Sequence, residues 1–236
     1  MSEESQNCQR CPAWKKSAFA KLSDASLAML SRSKTLASFA AGDSFSKQGE
    51  PADTVYCLRG GSAKVTLEEG KPASRSIVRL AAAGDMLGYR CVFSEEKFRA
   101  SATALSAGQA CKMSKNVFLG LIENEPSFSF ELLGRMGKEI ASAERRHHSF
   151  CKKSARERLA EALLLLLEKF GEETAAGPTI SLVLSRSEIA DWIGVAKETV
   201  IRTLTEFKEE GLIRQEERQI LILDKRKLTE LAGVTG

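Results

Sequence analysis

Residues 185–213 read "SRSEIADWIGVAKETVIRTLTEFKEEGLI". Ser185 followed by Glu188 is a capping box, in which the hydroxyl accepts from the backbone N–H of residue 188 and the carboxylate accepts from that of residue 185. A helix therefore starts here, with Ile189, Ala190 and Ile193 on its buried face. Gly194 ends it, because glycine enters the left-handed conformation of a helix stop at least cost. Helical spacing resumes a few residues later in "KETVIRTLTEF", with Val200, Leu204 and Phe207 inward. The pattern predicts helix, tight glycine turn, helix.

The second helix exposes Lys197, Glu198, Ile201 and Arg202 near its start, the part that reaches base edges when such a helix lies in the major groove. Arginine grips guanine O6 and N7 together and glutamate accepts from cytosine N4, so Glu198 and Arg202 are expected to read neighbouring base pairs. The plainer alternative is a helical hairpin whose Glu198 and Arg202 form an exposed i,i+4 pair worth a few tenths of a kcal/mol. Downstream, "EEGLIR" followed by "QILIL" predicts a β-hairpin wing.

Upstream, "SARERLAEALLLLLEKFG" predicts a strong helix stopped at Gly171, and "EETAAGPT" a loop. After Pro126, the residues Phe130, Leu133, Met136, Ile140 and Ala143 recur three or four apart, which predicts a long helix with one narrow apolar seam. Such a seam is expected to meet its own copy in a dimer; the alternative is packing against the β domain of the same chain. Residues 36–113 are short apolar stretches punctuated by Gly42, Gly49, Gly60, Gly61, Gly70, Gly84 and Gly88, with alternation in "AKVTL" and "SIVRL", the pattern of a compact antiparallel barrel or roll. The expected organisation is an N-terminal cysteine segment (1–20), a β-roll sensory domain (21–125), a dimerisation helix (126–151) and a DNA-binding domain (152–236).

The chain has 236 residues, 43% of them hydrophobic, which suits a soluble globular protein of one large or two modest domains. Its start, "MSEESQNCQR", lacks the apolar core of a signal peptide, and "LAEALLLLLEKF" is far short of the ~20 residues of a membrane span. A cytoplasmic location and no membrane contact are expected. The net charge of +4 mildly favours a polyanionic partner, yet residues 152–236 hold 14 lysines and arginines against 15 acidic residues. A nucleic-acid reading therefore rests on pattern rather than bulk charge. Six cysteines (Cys8, Cys11, Cys57, Cys91, Cys111 and Cys151) in a reducing compartment argue for metal or redox chemistry over disulfides. Cys8 and Cys11, spaced C-x-x-C, lie in a polar tail with no core to fill, whereas Cys57 and Cys111 also read as buried core residues.

With these motifs in place, the chain resembles the cyclic-AMP receptor protein and fumarate-nitrate reduction regulator (Crp/Fnr) family of bacterial transcription factors, closer to its oxygen-sensing, Fnr-like branch. "YCLRGGSAKV" resembles the family's β-roll signature, the helix after Pro126 its dimerisation helix, and "SEIADWIGVAKETVIRTL" its helix-turn-helix, so the resemblance covers nearly the whole chain. It implies an α+β fold with a cyclic-nucleotide-binding-like antiparallel β-roll, a long dimerisation helix and a C-terminal winged helix-turn-helix. It further implies a homodimer on palindromic double-stranded DNA, RNA polymerase as a partner and no catalytic activity. The DNA contacts it implies come from Ser185, Arg186, Lys197, Glu198, Thr199, Ile201 and Arg202. Ala196 departs from the family's Ser or Thr at the recognition-helix N-cap, a loss of about 1 kcal/mol. Ile201 suits a thymine methyl better than a hydrogen-bonding edge.

The family's nucleotide pocket takes a Gly-Glu pair for the ribose and an Arg-Ser or Arg-Thr pair for the cyclic phosphate. Here "GDMLGYRCVFSEEKFRASA" keeps Gly88 and Arg99 but has Tyr89 in place of the glutamate and Ala100 in place of the hydroxyl. Tyrosine supplies no charged acceptor and alanine no donor. Cyclic AMP is therefore not expected as the ligand, and Arg99 is expected in a surface ion pair. In the oxygen-sensing branch, an N-terminal cysteine cluster and a late β-roll cysteine hold an iron-sulfur cluster, and Cys8, Cys11 and Cys111 match three of those positions. The next ligand is expected six residues past Cys11, where this chain has Ser17. One of the four thiolates of a [4Fe–4S] cluster must then come from Cys91, the first candidate, or from Cys57, Asp24 or an external ligand.

The expectation is thus a homodimeric, sequence-specific regulator that responds to oxygen or redox state through an iron-sulfur cluster. Alternatives with the same DNA-binding output are a small effector in the modified roll pocket and a thiol switch on Cys8 and Cys11. Outside DNA binding, the alternatives are an effector-binding module, which would need the phosphate cassette that "FRASA" lacks, and a thiol oxidoreductase, which would need its C-x-x-C beside a βαβ unit. Zinc would want four tetrahedral ligands. His147 and His148, in "AERRHHSFCKK", read as solvated residues at the far end of the seam helix.

Overall fold

The computed structural model of the chain describes residues 7–70, 74–94, 97–181, 184–216 and 219–233; residues 1–6 of the expected cysteine segment lie outside these. Two compact units result, Met1–Ile140 and Ala141–Gly236, divided inside a long helix rather than at either of its ends.

The first unit opens with three short 3-10 turns, Cys8–Arg10, Trp14–Lys16 and Ala18–Lys21, followed by α1 (Asp24–Ser33). Ser23 caps α1 by accepting from Ser26 N. Eight strands follow: β1 (Thr35–Phe39), β2 (Ser44–Ser46), β3 (Thr54–Gly60), β4 (Ala63–Glu69), β5 (Ser74–Ala81), β6 (Met86–Leu87), β7 (Ser101–Ala104) and β8 (Gly108–Ser114). They form two antiparallel sheets in the orders β1-β8-β3-β6 and β2-β7-β4-β5, the roll expected from the glycine-punctuated sequence. The short α2 (Cys91–Ser94) follows β6, and α3 (Lys115–Asn124) and α4 (Pro126–Lys152) follow β8.

Strand alternation sorts the side chains of β3 and β8 onto two faces. Tyr56, Leu58 and Ala110 point into the roll interior with Val65, Leu87 and Ala102. Val55, Cys57, Cys111 and Met113 point the other way, into a second core with Phe19, Leu30, Phe118, Leu121, Phe128 and Leu132. The N-terminal segment is part of this second core: Cys8, Ala13, Ala18, Phe19 and Leu22 are buried. This corrects the reading of that segment as a polar tail. Each buried leucine or phenylalanine contributes roughly 1.5–3 kcal/mol, which offsets the ordering of turns too short to be stable alone.

The second unit contains the end of α4, α5 (Ala155–Phe170), the hairpin β9 (Gly171–Thr174) and β10 (Gly177–Ile180), α6 (Arg186–Ile193), α7 (Lys197–Glu209), the wing β11 (Ile213–Glu216) and β12 (Gln219–Ile222), and α8 (Lys225–Ala232). The stretch expected as a loop, "EETAAGPT", is the β9–β10 hairpin, which extends the wing into a sheet of order β11-β12-β10-β9. All four residues of β9 are exposed, so no alternation marked it. Ser154 and Glu157 form a capping box at the start of α5. Leu159, Leu163, Leu166, Val200, Leu204, Phe207 and Leu228 are all buried in this unit. Among the described residues, no helix is long and apolar enough to cross a membrane.

Candidate functional site

Helix α6 begins at the expected capping box, with Ser185 accepting from Glu188 N and Glu188 from Ser185 N, and ends at Gly194 with φ 65°. A side chain at Gly194 would be doubly penalised, by that φ and by a Cβ 3.1 Å from the Phe150 ring. Helix α7 starts after Ala196, which makes no side-chain cap hydrogen bond. Its inner face, Val200, Thr203, Leu204 and Phe207, is buried with Ile189, Ala190, Trp192 and Ile193 of α6. Arg156 of α5 holds α7 in place by an ion pair with Glu206 at 3.0 Å and by lying 4.8 Å over the Phe207 ring.

The outer face presents Lys197, Glu198, Ile201 and Arg202 to solvent, as expected, with Thr199 half-buried beside them. Arg202 is 72% exposed, and its Nε lies 3.8 Å from Glu206 Oε1. So loose and screened a pair releases its guanidinium to a better acceptor at little cost. Ser185 is engaged in the cap, and Arg186 donates through Nη2 to Gln215 Oε1 on β11 at 2.8 Å. Arg186 therefore braces the wing against α6.

On α4, Phe130, Leu133 and Ile140 are 75%, 63% and 59% exposed, and Ala143 is exposed as well. Met136 departs from this stripe, being partly buried against the second core beside Phe128 and Leu132. The helix thus has two apolar faces, one occupied by its own unit and one bare.

At the pocket remnant, Gly88 has φ 81° and Tyr89 is buried, with no hydrogen-bond partner for its hydroxyl among the described residues. Burial first, and the nearby Glu139 carboxylate second, hold the Tyr89 phenol well above the usual tyrosine range. Glu139 of α4 pairs with Arg79 at 3.2 Å and Arg90 at 3.4 Å, so one carboxylate is shared between two arginines. Arg99 is exposed.

The cysteines separate clearly. Cys8, Cys11, Cys57 and Cys111 line one recess together with Trp14, Ser17, Phe19, Leu30, Lys34 and Met113. Cys57 and Cys111 are direct cross-strand partners of β3 and β8. Cys8 and Cys11 arrive from the first 3-10 turn, held by Asn7, whose side chain accepts from Gln9 N. The buried Lys34, just past α1, directs Nζ to Cys8 Sγ at 2.7 Å. Burial alone would lower the Lys34 pKa, but the Cys8 and Cys111 sulfurs overcome it and raise the value. Burial pushes the Cys57 thiol up to about 12, with Cys111 adding and a Ser17 hydrogen bond opposing. Cys91 opens α2 and does not line this recess, and Asp24 at the start of α1 is engaged by Gln9 Nε2 at 3.1 Å. Lys34, Trp14 and Met113 carried no sequence signal, because only the tertiary fold brings them here.

Fold and surfaces together define a class: DNA-binding regulators in which a β-roll unit precedes a winged helix-turn-helix. The family model described as a Crp-like helix-turn-helix domain matches residues 157–231, and that of the cyclic nucleotide-binding domain matches residues 36–125. The transcriptional activator protein anr of Pseudomonas aeruginosa is 30% identical over 192 residues, covering 81% of this chain and 78% of that protein. Electron transport regulator A of Shewanella oneidensis is 28% identical, covering 81% and 76%. The CRP-like cAMP-activated global transcriptional regulator of Mycobacterium tuberculosis is 26% identical, covering 91% and 95%. Among solved structures, FixK2 from Bradyrhizobium japonicum superposes with a TM-score of 0.76 at 22% identity, covering 86% of this chain and 99% of that one. The chain belongs to the Crp/Fnr family and is a DNA-binding transcription regulator, not an enzyme.

Proposed function

We propose that the protein is a homodimeric, sequence-specific regulator that senses oxygen or redox state through an iron–sulfur cluster held in the cysteine-lined recess. The observation that supports this is the convergence of Cys8 and Cys11 on the recess that also holds Cys111, a hundred residues away in the chain. Among the described residues, no group of three or more His, Cys, Asp or Glu side chains could hold a metal ion. Cys8, Cys11, Cys57 and Cys111 all line the recess, and thiolates are the donors an iron–sulfur cluster takes. When bound, such a cluster supplies an oxygen-labile, redox-active centre.

The chain's own residues would do the rest. Trp14, Phe19, Leu30 and Met113 keep water from the sulfurs, and the Lys34 ammonium offsets negative charge beside Cys8. The segment carrying Cys8 and Cys11 grips α4 at two points: Arg135 Nη2 donates to Lys16 O at 2.7 Å, and Phe19 stacks on Phe128 at 5.3 Å. Release of the thiolate anchors frees that segment and slackens both grips. The bare seam of Phe130, Leu133 and Ile140 is then presented differently to the second copy, which changes how two α7 helices meet major grooves about one helical turn apart. Glu198 and Arg202 read base edges, Lys197 reaches phosphate, and RNA polymerase is the partner on the promoter. Cyclic AMP is not expected as the signal, because Tyr89 stands at the position of the ribose-binding glutamate and Ala100 at that of the phosphate-binding hydroxyl.

The test is to purify the protein anaerobically, record visible absorption, iron and acid-labile sulfide, and measure binding to palindromic DNA obtained by random-sequence selection, before and after air and with added cyclic AMP. Brown protein that loses its chromophore and changes DNA affinity in air is the expected result. A colourless, metal-free protein whose DNA binding ignores air overturns the sensing reading, and a response to cyclic AMP restores the effector alternative.

A further inference from the structure

We propose that Cys57 supplies the fourth thiolate of the cluster, in place of the cysteine that position 17 lacks. This rests on the cluster reading above but goes beyond it, since neither the spacing of the N-terminal cysteines nor the family resemblance assigns Cys57 a role.

Three observations carry the assignment. Ser17 Oγ and Cys57 Sγ lie 3.9 Å apart, so the two side chains share one corner of the recess. A sulfur carried by β3 therefore reaches the place that a sulfur at position 17 would occupy. Strand register then puts Cys57 directly opposite Cys111, on the same face of the sheet. Neighbours so placed have Cβ atoms roughly 4.5–5.5 Å apart, which suits adjacent corners of one cluster. Lastly, the other candidates are engaged or absent: Cys91 does not line the recess, Asp24 is bound to Gln9, and the Ser17 hydroxyl accepts from Phe19 N at 3.2 Å as the cap of its 3-10 turn.

Position 17 thus keeps a residue that caps a turn, while the soft donor has moved across the recess onto a rigid strand. Ligation to an already assembled cluster replaces the Cys57 Sγ–H bond by an Sγ–Fe bond and releases the proton to solvent, with no change of oxidation state at sulfur or iron. A strand-borne ligand also changes what oxygen can undo. Cys57 and Cys111 stay fixed by the β3–β8 ladder, so only Cys8 and Cys11 are free to withdraw when the cluster is lost.

The experiment compares the full-length parent with Cys57→Ala, Cys91→Ala and the double variant Ser17→Cys/Cys57→Ala, all reconstituted anaerobically with ferrous iron and sulfide. The readouts are iron and sulfide per chain, visible absorption and Mössbauer spectra, with circular dichroism reporting the fold. The expected result is parent-like loading in Cys91→Ala, at least a fivefold loss of four-iron cluster in Cys57→Ala, and recovery in the double variant. Recovery separates ligation from folding, since the last two proteins differ only at position 17. An iron-loaded parent whose Cys57→Ala variant keeps the same stoichiometry and spectrum overturns the ligand assignment alone. A folded double variant that stays unloaded overturns the shared corner, and a parent that takes up no cluster overturns the sensing reading and this assignment with it.

Discussion

Arg146 Nη2 donates to the backbone carbonyl of Trp192 at 2.7 Å, tying the last turns of α4 to the C-terminal end of α6. The guanidinium also lies 5.5 Å from the Phe150 ring centroid, and Arg158 lies 5.6 Å from the same centroid. A cation at a helix C-terminus meets the negative end of the macrodipole. Here it also fixes the first helix of the DNA-reading pair to the helix that carries the seam. Arg146→Ala should destabilise the C-terminal unit by about 1.5–3 kcal/mol, the value of a hydrogen bond to a charged group, and weaken DNA binding in parallel. Denaturant unfolding followed by the fluorescence of the buried Trp192 measures the first effect, and DNA titration the second. An unchanged unfolding midpoint would remove this link from the transmission route.

Arg202→Ala should cost about 1–3 kcal/mol of binding and relax selectivity at one base position. Glu198→Ala should relax the neighbouring position. Anisotropy titrations against single-base operator variants separate these patterns. If Arg202→Ala binds as tightly and selectively as the parent, α7 does not read DNA as assigned.

The seam makes a contrasting pair of expectations. Phe130 and Leu133 point to solvent, so replacing either by glutamate should leave the folded unit intact while yielding monomers in sedimentation velocity. Leu132, one residue away, is 2% exposed, and its truncation to alanine should instead cost about 2–5 kcal/mol of fold stability. Dimers that persist with glutamate at both seam positions would refute the dimer assignment.

Legibility followed the range of the interactions. The helix-turn-helix was readable because its determinants are local: a capping box at Ser185 and Glu188, a left-handed stop at Gly194, and inward residues at helical spacing. The recess was not readable, because Cys57 and Cys111 become neighbours only through the β3–β8 register, and Lys34 arrives from the end of α1. From sequence Cys91, beside the pocket remnant, is the first candidate, whereas Cys57 in "YCLRGGSAKV" also reads as a core residue; only the fold brings Cys57 to the recess. The N-terminal segment reads as a polar tail because Phe19 and Leu22 stand among polar residues at no regular period, and their burial depends on Phe128 and Leu132 far along the chain.

Ser154 and Glu157, at the start of α5, give a pH signature. The Ser154 hydroxyl first, and its backbone N–H second, hold the Glu157 carboxyl below its ordinary value of 4.5. A carboxylate depressed in the folded state contributes stability above the unfolded value, and that contribution disappears as pH falls through the folded value. Ser154→Ala should therefore destabilise the protein at neutral pH, and by less as pH falls through the depressed Glu157 value. Thermal melts of parent and variant from pH 3 to 7 test this. A gap between them that is independent of pH would mean that the Ser154 hydroxyl does not depress the Glu157 carboxyl.

Among the described residues, Lys34 is the only lysine or arginine lining the recess, with its Nζ 2.7 Å from Cys8 Sγ. Four thiolates and an iron–sulfur core make a net negative group, and a nearby positive charge favours its more reduced state, since net charge and hydrogen bonds to sulfur set such potentials. Lys34→Met keeps the length and apolar stem of the side chain but removes the ammonium. The variant should still take up iron and sulfide, show a lower midpoint potential in anaerobic spectroelectrochemical titration, and lose its chromophore faster when air is admitted. A variant that loads fully, with its potential and its rate of air bleaching unchanged, would show that Lys34 only completes the packing around Cys8 and does not tune the centre.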